Sequence, residues 1–124
     1  MRIFVFGNLD LPFDSLPLRL LPRMRESFPK VSFEVLDPNE EWSVPEHMHI
    51  IDTVVNLSQP MVIRGLDAFM SAPRMTCHDF DAYANLLFLR KLGKINDVTV
   101  FGLPPQYNEH GCMQWLNEQL RKEL

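Results

Sequence analysis

The chain has 124 residues, 46% of them apolar and 23% charged, and 12 Lys plus Arg against 16 Asp plus Glu leave a formal net charge of −4. That length predicts one domain, 1–124, able to bury a core without disulfides or a structural metal. The acidic balance excludes a basic field for nucleic acid or anionic lipid, and no apolar run approaches the roughly 20 residues of a membrane span.

Ile3, Phe4, Val5 and Phe6 form an unbroken apolar run closed by Gly7, the pattern of a central strand buried on both faces. After the loop LDLPFDS, Leu16, Leu20 and Met24 are at helical spacing and predict a helix over 16–27, with Pro17 in its first turn and Pro22 expected to kink or split it. VSFEVL (31–36) alternates as an edge strand does. MHIIDTVV (48–55) reads as a third strand with Asp52 in its middle or just past its end, and Pro60–Ile63 as a further edge strand, where a missing N–H costs least.

From Asp79 to about Lys91, Ala82, Leu86, Leu89 and Leu92 mark a helix face, and Gly93 stands where a helix would stop. DVTVFG (97–102) predicts a fifth strand, and Cys112 to Leu124 a closing helix whose inner face is Met113, Leu116 and Leu120. Strands alternating with helices predict a three-layer α/β/α sandwich, phosphorylase/hydrolase-like, around a mixed but mostly parallel five-stranded sheet. The first residues do not read as a signal peptide, and Cys77 and Cys112 form no Cys-x-x-Cys pair, so a cytoplasmic setting is expected.

In such sheets ligands bind beyond the carboxyl ends of the strands. Asn8, Asp10 and Asp14 follow the first strand; Asp52 and Thr53 end the third; Thr76, Cys77, His78 and Asp79 precede the long helix. Two carboxylates and an imidazole on one rim have the donor chemistry of a nickel or zinc site with open positions for substrate. Asp14, ahead of Ser15 and Leu16, reads either as a helix N-cap or as a ligand. His78 reads either as the start of a helix or as a ligand. Asp52 sits in near-core surroundings, where an unpaired charge costs several kcal/mol. His47, His49 and His110 show no spacing that suggests a shared site, and Cys77 beside His78 makes a poor nucleophile pair because adjacent side chains rarely meet at one point. A phosphoacceptor receiver domain is excluded by Gly7-Asn8 where an acidic pair would stand and by Leu103-Pro104-Pro105 in place of a lysine.

MRIFVFGNLDLPFDSLPLRL, HIIDTVV, MTCHDFDAYANLLFL and VTVFGLPP are together similar, in order and spacing, to the hydrogenase maturation proteases, peptidases that trim the C-terminus of the nickel-iron hydrogenase large subunit. The resemblance implies that Asp14, Asp52 and His78 engage nickel already loaded into the large-subunit precursor, with no metal held permanently by the enzyme. It implies an endopeptidase whose partner is that precursor, and which leaves nickel-free precursor uncut. Phe13 stands where relatives often carry another acid, Asp14 where they usually carry glutamate, and Pro17 where they carry glycine. Those differences also fit a non-catalytic module of the same fold that binds metal or a hydrogenase subunit. Pro12, Pro17, Pro60, Pro73, Pro104 and Pro105 fall in or near the expected rim loops, where fixed φ angles would hold a glycine-poor site in place.

Overall fold

The computed structural model describes all residues but 38–39, 41, 56, 71–76 and 106–107, and gives the backbone alone for residues 70 and 77–82. Five strands form one sheet: β1 (Arg2–Val5), β2 (Ser32–Val35), β3 (His47–Thr53), β4 (Met61–Arg64) and β5 (Asp97–Leu103), in the order β2-β1-β3-β5-β4. Every pair is parallel except β4 with β5. The apolar runs of β1 and β5 lie inside this order, whereas the alternating β2 and the proline-led β4 are its edges, as their patterns require.

Two helices cover one face, α1 (Leu16–Ser27) and α4 (Glu109–Glu123). Leu16, Leu20, Met24, Met113, Leu116 and Leu120 pack there on Ile3, Val5, Ile51, Phe101 and Leu103. Arg19 of α1 pairs with Glu109 in the first turn of α4. The other face is covered by α2 (Leu66–Met70) and α3 (Cys77–Lys91), whose Leu66, Phe69, Leu86 and Leu89 meet Phe4, Phe6, Met48, Ile50, Val98 and Val100. Alternate residues along β1 and β3 thus enter different cores, which is why β1 reads as a continuous apolar run.

Several boundaries differ from the sequence reading. Pro22 does not split α1, which runs undivided from Leu16 to Ser27. Its ring is on the exposed side, where the Leu18 carbonyl that loses an N–H partner is within reach of water. Leu92 is not on the buried face of α3: the helix ends at Lys91, Gly93 turns at φ +74°, and Leu92 is 52% exposed. The chain then returns through Lys94 N–H to Leu89 C=O.

The closing helix starts at Glu109 rather than Cys112, because Asn108 Oδ1 accepts from the His110 and Gly111 N–H groups at 2.8 and 3.2 Å. Short α2 was not expected. It is anchored by Asp97 Oδ1, which accepts the Leu66 N–H at 2.6 Å, and by burial of Leu66 and Phe69. Among the described residues no helix is long and apolar enough to cross a membrane.

Candidate active site at the carboxyl ends of the strands

The loop after β1 leads to α1 on one face of the sheet, and the chain after β3 leads through β4 to α2 and α3 on the other. Between adjacent β1 and β3 the connections therefore part. In open α/β sheets this leaves a crevice at the carboxyl ends, the usual place for a ligand.

Asp14 reaches this rim from the β1 side. Phe6 N–H donates to Ile51 C=O at 3.0 Å, keeping β1 on β3 one residue past the strand's end. The chain then closes a small loop, with Asn8 N–H to Asp14 C=O and Asp14 N–H to Leu11 C=O, both 2.9 Å. Asn8 Oδ1 accepts the Asp10 N–H at 3.0 Å inside it. A Cβ on Gly7 would lie 2.9 Å from the Asp14 carbonyl oxygen and 3.1 Å from Leu18 Cγ, so only glycine lets the loop fold down this far.

Asp14 ends a 3-10 turn, Pro12–Asp14, and is 3% exposed. It is not the N-cap of α1; Ser15 holds that position and makes no side-chain cap bond. Ser15 Oγ instead donates to Pro12 C=O at 3.2 Å and accepts from Arg19 Nε at 3.0 Å. The N-cap explanation of Asp14 is therefore removed, and a buried carboxylate remains beside the crevice.

Asp52 comes from β3, one residue before its end and in register with Gly102 of β5. It is 2% exposed, and its Oδ1 accepts the Thr53 N–H at 2.8 Å. Strand alternation places Asp52 on the side of Ile50 and the α2–α3 core, and Thr53 on the side of Ile51 and the α1–α4 core. Asp14 thus comes to the rim from the loop that leads into α1, and Asp52 from the end of β3 on the α2–α3 side.

His78 is the second residue of α3, and its side chain lies outside the described residues, as do those of Cys77 and Asp79; Thr76 and Pro73 lie outside them altogether. Asn96 N–H donates to Glu46 C=O at 2.7 Å as the chain enters the amino end of β5. The carboxyl end of α3, a helix of 15 residues and about 22 Å, is thereby followed closely by the amino end of β5. Among the described residues no third His, Cys, Asp or Glu gathers with another two at metal-binding spacing.

Sequence reasoning missed a second polar group, at the amino ends of the strands. His47 and His49 do meet: two residues apart on β3, they share a face, with ring centroids 5.1 Å apart. The period of two was the signal that could have found them. His47 Nε2 is 2.8 Å from Thr99 Oγ1, and His49 stacks on Phe101 at 6.4 Å. His49 Nε2 is 3.5 Å from Glu123 Oε2, and Arg64 Nη2 is 3.0 Å from Glu123 Oε1.

Burial, helped by the neighbouring His47, holds the His49 imidazole below its ordinary pKa and outweighs the pull of Glu123. Burial works to raise Glu123, but the hydrogen bond and charge of Arg64, with His49, hold it below the usual carboxylate range. Burial pushes the Cys112 thiol up to about 11, so it stays protonated and behaves as an apolar core group. An open cavity of about 560 Å³ lies elsewhere, lined by Trp42, Ser43, Val44, Glu46, Gly93 and Lys94, and contains neither rim acid.

No protein-family model matches the sequence, and the search of curated proteins finds no significant match. Solved structures do match. The hydrogenase maturating endopeptidase HybD from E. coli aligns with a TM-score of 0.64 at 20% identity, over 99% of this chain and 89% of that one. The fold is that of this endopeptidase. An Escherichia coli endopeptidase solved in solution aligns at 0.63 and 18% identity over 99% and 89% of the two chains. Hydrogenase 3 maturation protease gives 0.64 and 17% over 97% and 88%. The expected mixed five-stranded α/β architecture is thus shared with proteins of known structure along nearly the whole chain.

Proposed function

We propose that this protein is an endopeptidase that recognises nickel in a hydrogenase large-subunit precursor and removes its C-terminal extension. The observation that carries the reading is the pair of buried carboxylates, Asp14 and Asp52, delivered from the loop after β1 and from the end of β3 to one rim in a fold shared with maturation endopeptidases. Asp14 is not the N-cap of α1, and Asp52 is the penultimate residue of β3, so both lie at the carboxyl ends of strands, where sheets of this kind bind their ligands.

In this reading the metal arrives as part of the substrate. Asp14 and Asp52 supply the carboxylate oxygens and His78 the imidazole that engage precursor-held nickel. Held there, the nickel anchors the precursor's C-terminal region next to the bond to be cut. It supplies charge that polarises the scissile carbonyl or acidifies an attacking water.

The test is to mix the protein with nickel-loaded and with nickel-free precursor and follow the mass of the large subunit. Shortening of the nickel-loaded form alone is expected. Equal cleavage of both forms overturns nickel recognition, and binding without shortening makes the protein a non-catalytic module of the same fold.

A further inference from the structure

We infer that Thr53 is a third contact residue of the rim, its hydroxyl donating a hydrogen bond to an acceptor oxygen of the substrate segment seated between Asp14 and Asp52. This rests on the peptidase reading above and adds a residue to it. Thr53 is 5% exposed, and its Oγ1 has no hydrogen-bond partner among the described residues. A buried hydroxyl in that condition costs free energy that valine, of the same shape, would avoid. The hydroxyl therefore destabilises the protein by itself and is explained by a partner that arrives.

The backbone says where that partner would sit. Thr53 follows Asp52 directly and holds the Asp52 carboxylate by its own N–H. Its side chain is on the α1–α4 side of the sheet, two residues past Ile51. β1 and β3 are in register at Val5 and Ile51, and the Phe6 N–H to Ile51 C=O bond carries the pairing onward. Continued one step further, that register brings Gly7 alongside Thr53. Gly7 is the residue whose missing Cβ makes room for the Asp14 carbonyl at 2.9 Å. Thr53 thus ends the strand that carries Asp52, on the side next to the loop that carries Asp14.

The chemistry of the three groups is complementary. Ionised carboxylates only accept, so two of them suit a cation, whereas a threonine hydroxyl also donates. A peptide segment anchored by a metal brings carbonyl oxygens that the acids repel. A hydroxyl beside them, covered until the segment seats, donates to one such oxygen, and does so best if charge grows on it during reaction.

Thr53→Val removes the hydroxyl and keeps the shape; Thr53→Ser keeps the hydroxyl. Expected for Thr53→Val is a melting temperature at or a few degrees above the wild type. Cleavage of nickel-loaded precursor should fall by about tenfold or more, with Thr53→Ser restoring most of it. Wild-type cleavage rates in Thr53→Val overturn the inference, and so does a lowered melting temperature, which would mean that the hydroxyl is already used by the fold. If the wild type leaves the precursor whole, the peptidase reading fails instead, and the variants are compared by their affinity for nickel-loaded precursor. Equal affinity, or no binding by the wild type, then overturns the contact as well.

Discussion

The two ends of the sheet treat polar groups in opposite ways. At the amino ends of the strands, His47 meets Thr99, and His49 meets Glu123, which in turn meets Arg64; the set is closed by partners from β3, β4, β5 and α4. At the carboxyl ends, two carboxylates are 2% and 3% exposed, and the neighbouring Thr53 hydroxyl has no hydrogen-bond partner among the described residues. The amino-end groups explain themselves through one another. The rim groups stand instead at the carboxyl ends of the strands, where the connections from β1 and β3 part and the proposed function is read.

Four experiments would break or sharpen this contrast. Asp52→Asn keeps an oxygen to accept the Thr53 N–H but removes the charge, so cleavage should fall by more than about a hundredfold while the protein stays folded. Unchanged cleavage with a stability loss of several kcal/mol in chemical denaturation would make Asp52 a structural acid. Next in size is Gly7→Ala, whose Cβ would meet the Asp14 carbonyl at 2.9 Å and must push the loop off its place. About 1–3 kcal/mol of stability and at least about tenfold in cleavage should be lost together. Gly93→Ala is the control: nothing lies within 4 Å of its Cβ, so only the cost of φ +74°, about 1 kcal/mol, should appear in the denaturation midpoint, with no change in cleavage.

At the other end, Glu123→Ala removes the partner shared by His49 and Arg64. About 1 kcal/mol of stability should go, with cleavage untouched. Any effect on cleavage beyond about twofold would show the two ends to be coupled. The smallest effect is on pH dependence. His49 is held below its ordinary value of 6.5 and Glu123 below 4.5, so in each case the unfolded chain binds protons before the folded one. Stability from His49 is present above pH 6.5 and is lost as pH falls through its folded value; that from Glu123 is lost at lower pH still. A series of thermal melts from pH 7.5 to 4 should show the melting temperature falling with acid, and His49→Gln should flatten the upper part of that fall.

Much of this was legible along the chain. Unbroken apolar runs gave interior strands, and alternation or a leading proline gave edges, because burial on two faces and on one face leave different patterns. Asp14 and Asp52 were legible as rim residues because strand ends are readable and sheet chemistry concentrates there. The prolines fit too. Pro17 is buried at the start of α1, Pro12 opens the 3-10 turn, Pro60 precedes β4 and Pro104 follows β5. Other features were hidden for physical reasons. Five-residue α2 is held by Asp97 and by two buried side chains rather than by periodicity, and Pro22 is harmless only because it faces outward.

By itself, the sequence determined the strand and helix periods, the edges of the sheet and which acids follow strands, since these depend on residues near one another in the chain. Only the tertiary structure decided the rest. It showed Ser15 to be the N-cap in place of Asp14, placed His47, His49, Arg64 and Glu123 together, and left the Thr53 hydroxyl buried without a partner among the described residues. Whether a polar group is satisfied depends on partners 40 or more residues away, and no local pattern carries that information.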